Sequence, residues 1–245
     1  VRHESLFFLS GPDHLYATLY SPANDRIRLG VVLCQAWGAD GMAMYGWTQR
    51  AGRDLAEAGV ATIIPHWPGA FDSEGDHERL TFGRIVEAGS DAAAAAEQRG
   101  DIPAWGVLGV GVGAASAALL ATALSATRCV LAQPALDPAA YFTEIERRSR
   151  RASLGGPSTA GWAFGYPIPP GLRGPDAADL VSAALGSFAG KGAVVRYRKP
   201  VSAAPPAGFD TVTIRGNWAL PGRDDRKELR RGVTRWLARS LGSDA

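Results

Sequence analysis

Cysteine is scarce, with only Cys34 and Cys129 in 245 residues. So few cysteines exclude a disulfide-stapled secreted scaffold. Each lies in an apolar run, Val31-Val32-Leu33-Cys34 and Cys129-Val130-Leu131-Ala132, that reads as a separate buried strand. Both are expected in the core. Spacing alone leaves a bond between them open, and a reducing cytoplasm is the expected compartment. A strong charge of either sign is also missing: 26 basic and 24 acidic side chains leave +2, too weak a field to gather nucleic acid or an anionic membrane. No run approaches the roughly 20 apolar residues of a membrane span. The N-terminus lacks the basic-then-apolar pattern of a secretory leader. A soluble chain with small-molecule or protein partners is expected, with no nucleic acid and no membrane span.

Hydrophobic residues make up 46% and charged residues 20%, the balance of a folded globule. One domain over residues 1–245 is expected, a common size for an α/β fold. Leu15 to Ser21 alternates as a strand does, and the turn residues Pro22, Asn24 and Asp25 lead to the next apolar run, which suggests an N-terminal hairpin. Gly30 to Cys34 is continuously apolar, as in a parallel strand covered on both faces. Met44, Trp47, Ala51, Leu55 and Ala58 recur at helical spacing before Gly59, a stop signal. Strands at Val60–Pro65, Trp105–Gly109 and Cys129–Ala132 then alternate with helices at Arg84–Gln98 and Ala114–Leu124. This rhythm predicts an open, mostly parallel sheet with crossovers on both faces.

The rhythm breaks between Ala139 and Gly192, where a helix-like start leads to Arg147, Arg148, Arg150 and Arg151 and then to a Gly/Pro-rich stretch. That region is the candidate lid. Strands resume at Ala193–Tyr197 and Thr211–Arg215, separated by a loop at Pro200–Gly208. A final helix carries the apolar stripe Leu229, Val233, Trp236, Leu237 and Leu241, with Asp224 and Asp225 suiting its positive end.

Gly109-Val110-Gly111-Val112-Gly113 joins a buried strand to an Ala-rich helix. It resembles the Gly-x-Ser-x-Gly elbow of the α/β hydrolases, with glycine at the nucleophile position. Gly111 has no hydroxyl, thiol or carboxylate and cannot form an acyl intermediate. A phosphate-binding reading competes, but the spacing is not Gly-x-Gly-x-x-Gly and the next strand ends without the matching acid; close helix–strand packing is the plainer explanation. No histidine follows the last strand, where Gly216-Asn217-Trp218 stands, and all four histidines, His3, His14, His66 and His77, lie in the first third of the chain. The usual Ser-His-Asp triad is therefore excluded.

The resemblance extends further. Leu33 to Gly38 resembles the family's strand and oxyanion-hole loop. His66 to Gly75 resembles its Asp-x-Arg-Gly-x-Gly-x-Ser-x-Gly loop, matching at Gly69, Ser73 and Gly75 and departing at His66, Pro68 and Phe71. Within the superfamily the chain is most similar to hydrolase-like proteins found beside bacterial exosortases, one group of which also lacks the elbow serine. The shared features are Gly113-Ala114 after the elbow, Gly165-Tyr166 near prolines, and Gly216-Asn217-Trp218. The resemblance implies the fold and a missing nucleophile, and it carries no substrate.

Other residues admit two readings each. His66 ends a strand, where α/β sheets place ligand contacts, and serves either as a general base or as a structural histidine. Asp72, Glu74, Asp76, His77 and Glu78 form either a cation or His66 partner set or a solvated acidic loop; their spacing fits neither a calcium loop nor a zinc motif. Asp137 either orients His66 or forms a turn before Pro138. Ser73 and Ser116 are poorly placed as nucleophiles. Trp37, Trp67, Phe71, Trp162, Phe164, Tyr166 and Trp218 suggest an aromatic pocket for an apolar ligand, or aromatics closing the lid onto the core. The backbone N–H groups of Trp37 and Val112 point at the old oxyanion position and retain the means to polarise a carbonyl.

The resulting expectation is a non-hydrolytic hydrolase-fold protein, without cofactor or metal, that binds a small apolar or acyl-type molecule. His66 and Asp137 would serve a cyclisation, elimination or rearrangement in bacterial biosynthesis. One rival is a catalytically dead module holding an acidic partner or carrier protein through Arg147 to Arg151. Another is a hydrolase or thioesterase with a relocated nucleophile.

Overall fold

Alternation at the N-terminus builds one edge of a sheet. Strand β1 (Arg2–Ser10) turns inward at Leu6, Phe8 and Ser10 and leaves Phe7 and Leu9 exposed. A turn at Gly11-Pro12, with Gly11 at φ +53°, returns the chain into β2 (Asp13–Ser21), paired from Arg2↔Ser21 to Ser10↔Asp13. The hairpin predicted from Leu15–Ser21 therefore closes backwards onto Arg2–Ser10, not forwards across Pro22. The forward run, β3 (Leu29–Cys34), is buried along its whole length and takes parallel neighbours on both sides. An antiparallel hairpin partner would have used one of those sides.

The computed structural model describes residues 1–24, 26–152, 161–199, 204–217 and 223–242. After β3 come α1 (Gly38–Glu57), β4 (Val60–Pro65), α2 (Phe82–Glu97), β5 (Trp105–Val110), α3 (Gly113–Ala123), β6 (Arg128–Ala132) and α4 (Pro138–Ala152). A small hairpin, β7 (Trp162–Ala163) and β8 (Tyr166–Pro167), precedes α5 (Ala177–Ser187), β9 (Lys191–Lys199), β10 (Phe209–Asn217) and α6 (Arg223–Gly242). Eight strands form one sheet in the order β1-β2-β4-β3-β5-β6-β9-β10. The pairs from β4 through β10 are parallel, while β1 with β2 and β2 with β4 are antiparallel.

Each face of the sheet carries its own core. Met44, Trp47, Ala51 and Leu55 of α1 and Leu229, Val233, Trp236 and Leu237 of α6 cover one face. Alanines of α2 and α3, with Phe142 of α4 and Val181 and Leu185 of α5, cover the other. Burying a side chain of the size of Leu or Phe contributes about 1.5–3 kcal/mol, so these two faces hold the fold together. Small residues set the spacing: a Cβ on Gly52 would lie 2.5 Å from the Tyr20 ring, and one on Gly89 would lie 2.7 Å from Leu120. Cys34 and Cys129 are both buried and unbonded, and burial pushes both thiols up, away from reactive thiolate.

The region predicted as a lid divides in two. Helix α5 packs into the core as an ordinary crossover between β6 and β9, so the insertion proper is α4 and the β7–β8 hairpin. Among the described residues no helix is long and apolar enough to cross a membrane.

Candidate functional site

A tight strand-to-helix turn stands where the sequence predicted an elbow. Gly111 sits at φ +58° between β5 and α3. Its N–H donates to Ala132 O (3.0 Å) and its carbonyl accepts from Ala135 N–H (2.9 Å), so the turn is pinned to the chain leaving β6. The flanking glycines have steric reasons to be there. A Cβ on Gly109 would lie 2.4 Å from Ala114 Cα, and one on Gly113 would lie 2.4 Å from the carbonyl oxygens of Cys34 and Gln35. This is the close helix–strand packing that competed with a phosphate loop, and it brings the start of α3 against the end of β3.

Two helix N-termini meet there. Val112 precedes α3 and Trp37 precedes α1, and neither helix has a side-chain cap. Ala114 and Ala115 N–H turn back to Gly111 and Val112 carbonyls. Among the described residues no acceptor takes the backbone N–H of Trp37 or Val112. Orphan N–H groups at helix starts carry the positive end of the helix dipole. They are suited to hold the oxygen of a carbonyl or carboxylate.

Aromatic rings enclose this point. The Trp37 ring meets Phe142 edge-on at 5.2 Å and Tyr166 at 6.2 Å. Gly38, at φ +55°, has the Tyr166 side chain lying over its Cα. The β7–β8 hairpin thus closes over the start of α1 through Tyr166, while Trp162 and Phe164 are exposed to solvent. Trp67 is buried in the same core as Trp37. Trp218 lies outside the described residues.

His66 is placed elsewhere. Its ring packs against Tyr16 of β2 (4.7 Å), Tyr45 of α1 (6.2 Å) and Phe71 (4.8 Å), on the α1 side of the sheet. Neither ring nitrogen has a hydrogen-bond partner. Among the described residues no hydrogen bond or ring contact joins His66 to Trp37, Gly111 or Val112. Asp137 is not beside it either: its exposed carboxylate accepts from Ala140 N–H (2.9 Å) and caps α4. The carboxylate near His66 is Asp72.

The histidine that bonds to Trp37 is His77, which the sequence grouped with the acidic residues 72–78. Trp37 Nε1–H donates to His77 Nε2 (2.8 Å), while His77 Nδ1 is buried without a partner. Burial pushes His77 below its ordinary pKa, against the pull of Asp76 and Glu78, so the ring is neutral with its proton on Nδ1. The clue was Gly69: it adopts φ +72° with the His77 backbone folded directly onto it, which brings His77 back against the chain leaving β4 while the acids around it stay exposed. Among the described residues no three His, Cys, Asp or Glu side chains gather as a metal site would require.

An apolar groove runs between α5 and residues 204–207. One part, about 200 Å³, is lined by Pro134, Leu136, Asp137 and Val194; the next, about 350 Å³, is lined by Val181, Leu185 and Ala178 and shares Leu136, Ala204 and Pro206 with the first. Three arginines of the basic cluster of α4 pair within their own helix. Arg147 and Arg148 share Glu144, and Arg150 pairs with the buried Glu146, which also holds Arg173 and accepts from Gly161 N–H. Two carboxylates against four arginines leave α4 with a net charge of +2.

No protein-family model and no curated protein matches the sequence. Solved structures do. Est1E from Butyrivibrio proteoclasticus, with ferulic acid bound, is 17% identical over 97% of this chain and 99% of its own, with a TM-score of 0.72. An α/β serine hydrolase without lid from Xanthomonas campestris is 15% identical over 96% and 95%, with a TM-score of 0.61. An α/β serine hydrolase homologue from Coxiella burnetii is 15% identical over 96% and 97%, with a TM-score of 0.63. The likeness spans nearly the whole chain, and at such identities it shows the fold and nothing narrower.

Proposed function

We propose that this chain, which has the α/β-hydrolase fold, binds a small acyl-type molecule without ever bonding to it covalently. The observation that carries the reading is Gly111: the elbow keeps its φ +58° and its hydrogen bonds to the β6 exit, yet offers no nucleophile. The uncapped Trp37 and Val112 amides take the ligand's oxygen, and the groove along Leu136, Val181 and Pro206 takes its apolar tail.

Chemistry at such a site is restricted to steps that need no acyl-enzyme: carbonyl polarisation with proton transfer, as in elimination, cyclisation or rearrangement. His77 bonds Trp37 of the oxyanion-hole loop, and with its Nε2 taken and its Nδ1 buried it positions that residue in this reading and is not itself the base. The dead-module reading is weaker because three of the four arginines of α4 are already paired.

The test is a titration of isotopically labelled protein with octanoate, followed by backbone amide shifts. The largest shifts are expected at Val112 and Trp37. Labelling of any serine by a fluorophosphonate, or shifts confined to another surface, would sink the reading.

A further inference from the structure

Gln133 is the one residue of the β6 exit in a conformation that side chains avoid. It follows Ala132 with φ +48°, in the left-handed region that favours glycine or asparagine. Its backbone is fixed there from three sides. Its own N–H donates to Val195 O (2.9 Å), its predecessor Ala132 accepts from Gly111 N–H, and Ala135, two residues on, donates to Gly111 O. The hydrogen bonds that shape the elbow therefore bracket Gln133.

Its side chain is equally unusual. Gln133 is only 7% exposed, yet its Nε2 has no hydrogen-bond partner. A buried amide N–H₂ without an acceptor is destabilising, and so is a non-glycine residue at this φ. Two costs at one position, beside the elbow, call for a ligand that supplies the missing acceptor. The next residue, Pro134, already lines the apolar groove, together with Val194. Gln133 thus stands in the chain between Pro134 of the groove and Ala132, whose carbonyl holds Gly111 N–H.

We infer that Gln133 is a ligand-binding residue whose carboxamide donates to a carboxylate, so that the site selects free acids over their neutral derivatives. This rests on the elbow reading and adds to it a ligand class and a residue that reads it. Trp37 and Val112 amides would hold one carboxylate oxygen and Gln133 Nε2 the other. All three groups are donors, and a donor to a charged oxygen makes the stronger, shorter bond. A neutral amide or ester lacks that second charged oxygen.

The experiment compares octanoate with octanamide on the wild-type protein and on Gln133→Gly and Gln133→Glu, read by calorimetry and by the amide signals of Trp37, Val112 and the Gln133 side chain. Octanoate is expected to bind wild type about tenfold more tightly than octanamide and to shift the Gln133 N–H₂ signals, a ratio in keeping with a charge-assisted bond. Gln133→Gly should erase the preference while raising the melting temperature of the free protein by roughly 2–4 °C, because the left-handed backbone suits glycine and the orphan amide is gone. Gln133→Glu should lose octanoate and keep octanamide, since it sets like charges together. Shifts at Trp37 and Val112 with unmoved Gln133 N–H₂ signals and unchanged preference in both variants would overturn this inference alone. Silence at Trp37 and Val112 with both probes would overturn the elbow reading and this one with it.

Discussion

His66 Nδ1 lies 3.6 Å from Asp72 Oδ2, but the two groups occupy opposite environments: the imidazole is 1% exposed and the carboxylate 68%. At that distance no hydrogen bond forms, and water screens the carboxylate. Burial therefore dominates and holds His66 below its ordinary 6.5, with Asp72 opposing weakly. His77 is lowered for the same main reason.

A depressed histidine makes stability depend on pH in a definite direction. Below 6.5 the unfolded chain binds a proton that the folded chain does not, so stability is full above 6.5 and falls as pH drops toward the folded-state values. The melting temperature is expected to fall between pH 7.5 and 5.5. His66→Phe, whose ring suits the company of Tyr16, Tyr45 and Phe71, should flatten part of that slope and add about 1 kcal/mol at pH 7 by removing two orphan nitrogens. An unchanged slope in the variant would show that His66 finds a partner in solution.

Restoring a hydroxyl at the elbow should not restore hydrolysis. Gly111→Ser forces a side chain to φ +58°, a strain of about 1–2 kcal/mol, and the new oxygen meets no base. His77 Nε2 is already bonded to the Trp37 indole, and His66 lies on the α1 side of the sheet. The variant is expected to melt earlier and to stay unlabelled by fluorophosphonate. Rapid labelling would mean that a histidine does reach the elbow, and would reopen the hydrolase reading.

The fold was legible because its signals are local. Buried strands such as Gly30–Cys34 and Val60–Pro65 are short apolar runs, and α1 shows its stripe in Met44, Trp47, Ala51 and Leu55. Pairing was less legible: β1 and β2 are joined by Gly11-Pro12, but the turn signal at Pro22 to Asp25 was as strong, and only burial of both edges of β3 decides between them. The glycine turn between β5 and α3 was readable because Gly111 is defined by its neighbours in sequence. Its surroundings were not, since they depend on which side of the sheet each strand end turns to. His66 and Trp67 are adjacent in sequence, yet His66 packs on Tyr45 of α1 while Trp67 joins the core of Trp37. Gln133 left only a weak trace, a polar residue at a strand end just before proline.

Asp137 provides a test of capping against catalysis. Its carboxylate is committed to Ala140 N–H and its carbonyl to Tyr141 N–H at the start of α4. Asp137→Ala should cost about 1 kcal/mol of stability, the usual worth of an N-cap, and Asp137→Ser should recover most of it. Asp137 also lines the groove, so any octanoate affinity lost in the alanine variant should return in the serine variant together with the cap. A loss of binding that serine does not repair would give the carboxylate a role at the site.

The Trp37–His77 bond sets which protons the site can move. With Trp37 Nε1–H donating to His77 Nε2, protonation there would set two donors against each other at 2.8 Å. The bond thus adds to burial in keeping the ring neutral and its proton on Nδ1. Trp37→Phe removes the donor and keeps an aromatic ring against Phe142 and Tyr166. Ring-proton titration by NMR should then show His77 rising toward 6.5 from its wild-type position below it, while His66 stays where it was. Because the lost bond joins half-buried groups, the change should also cost about 1–2 kcal/mol of stability. If His77 titrates identically in both proteins, burial alone fixes its charge, and the indole serves packing and no proton control.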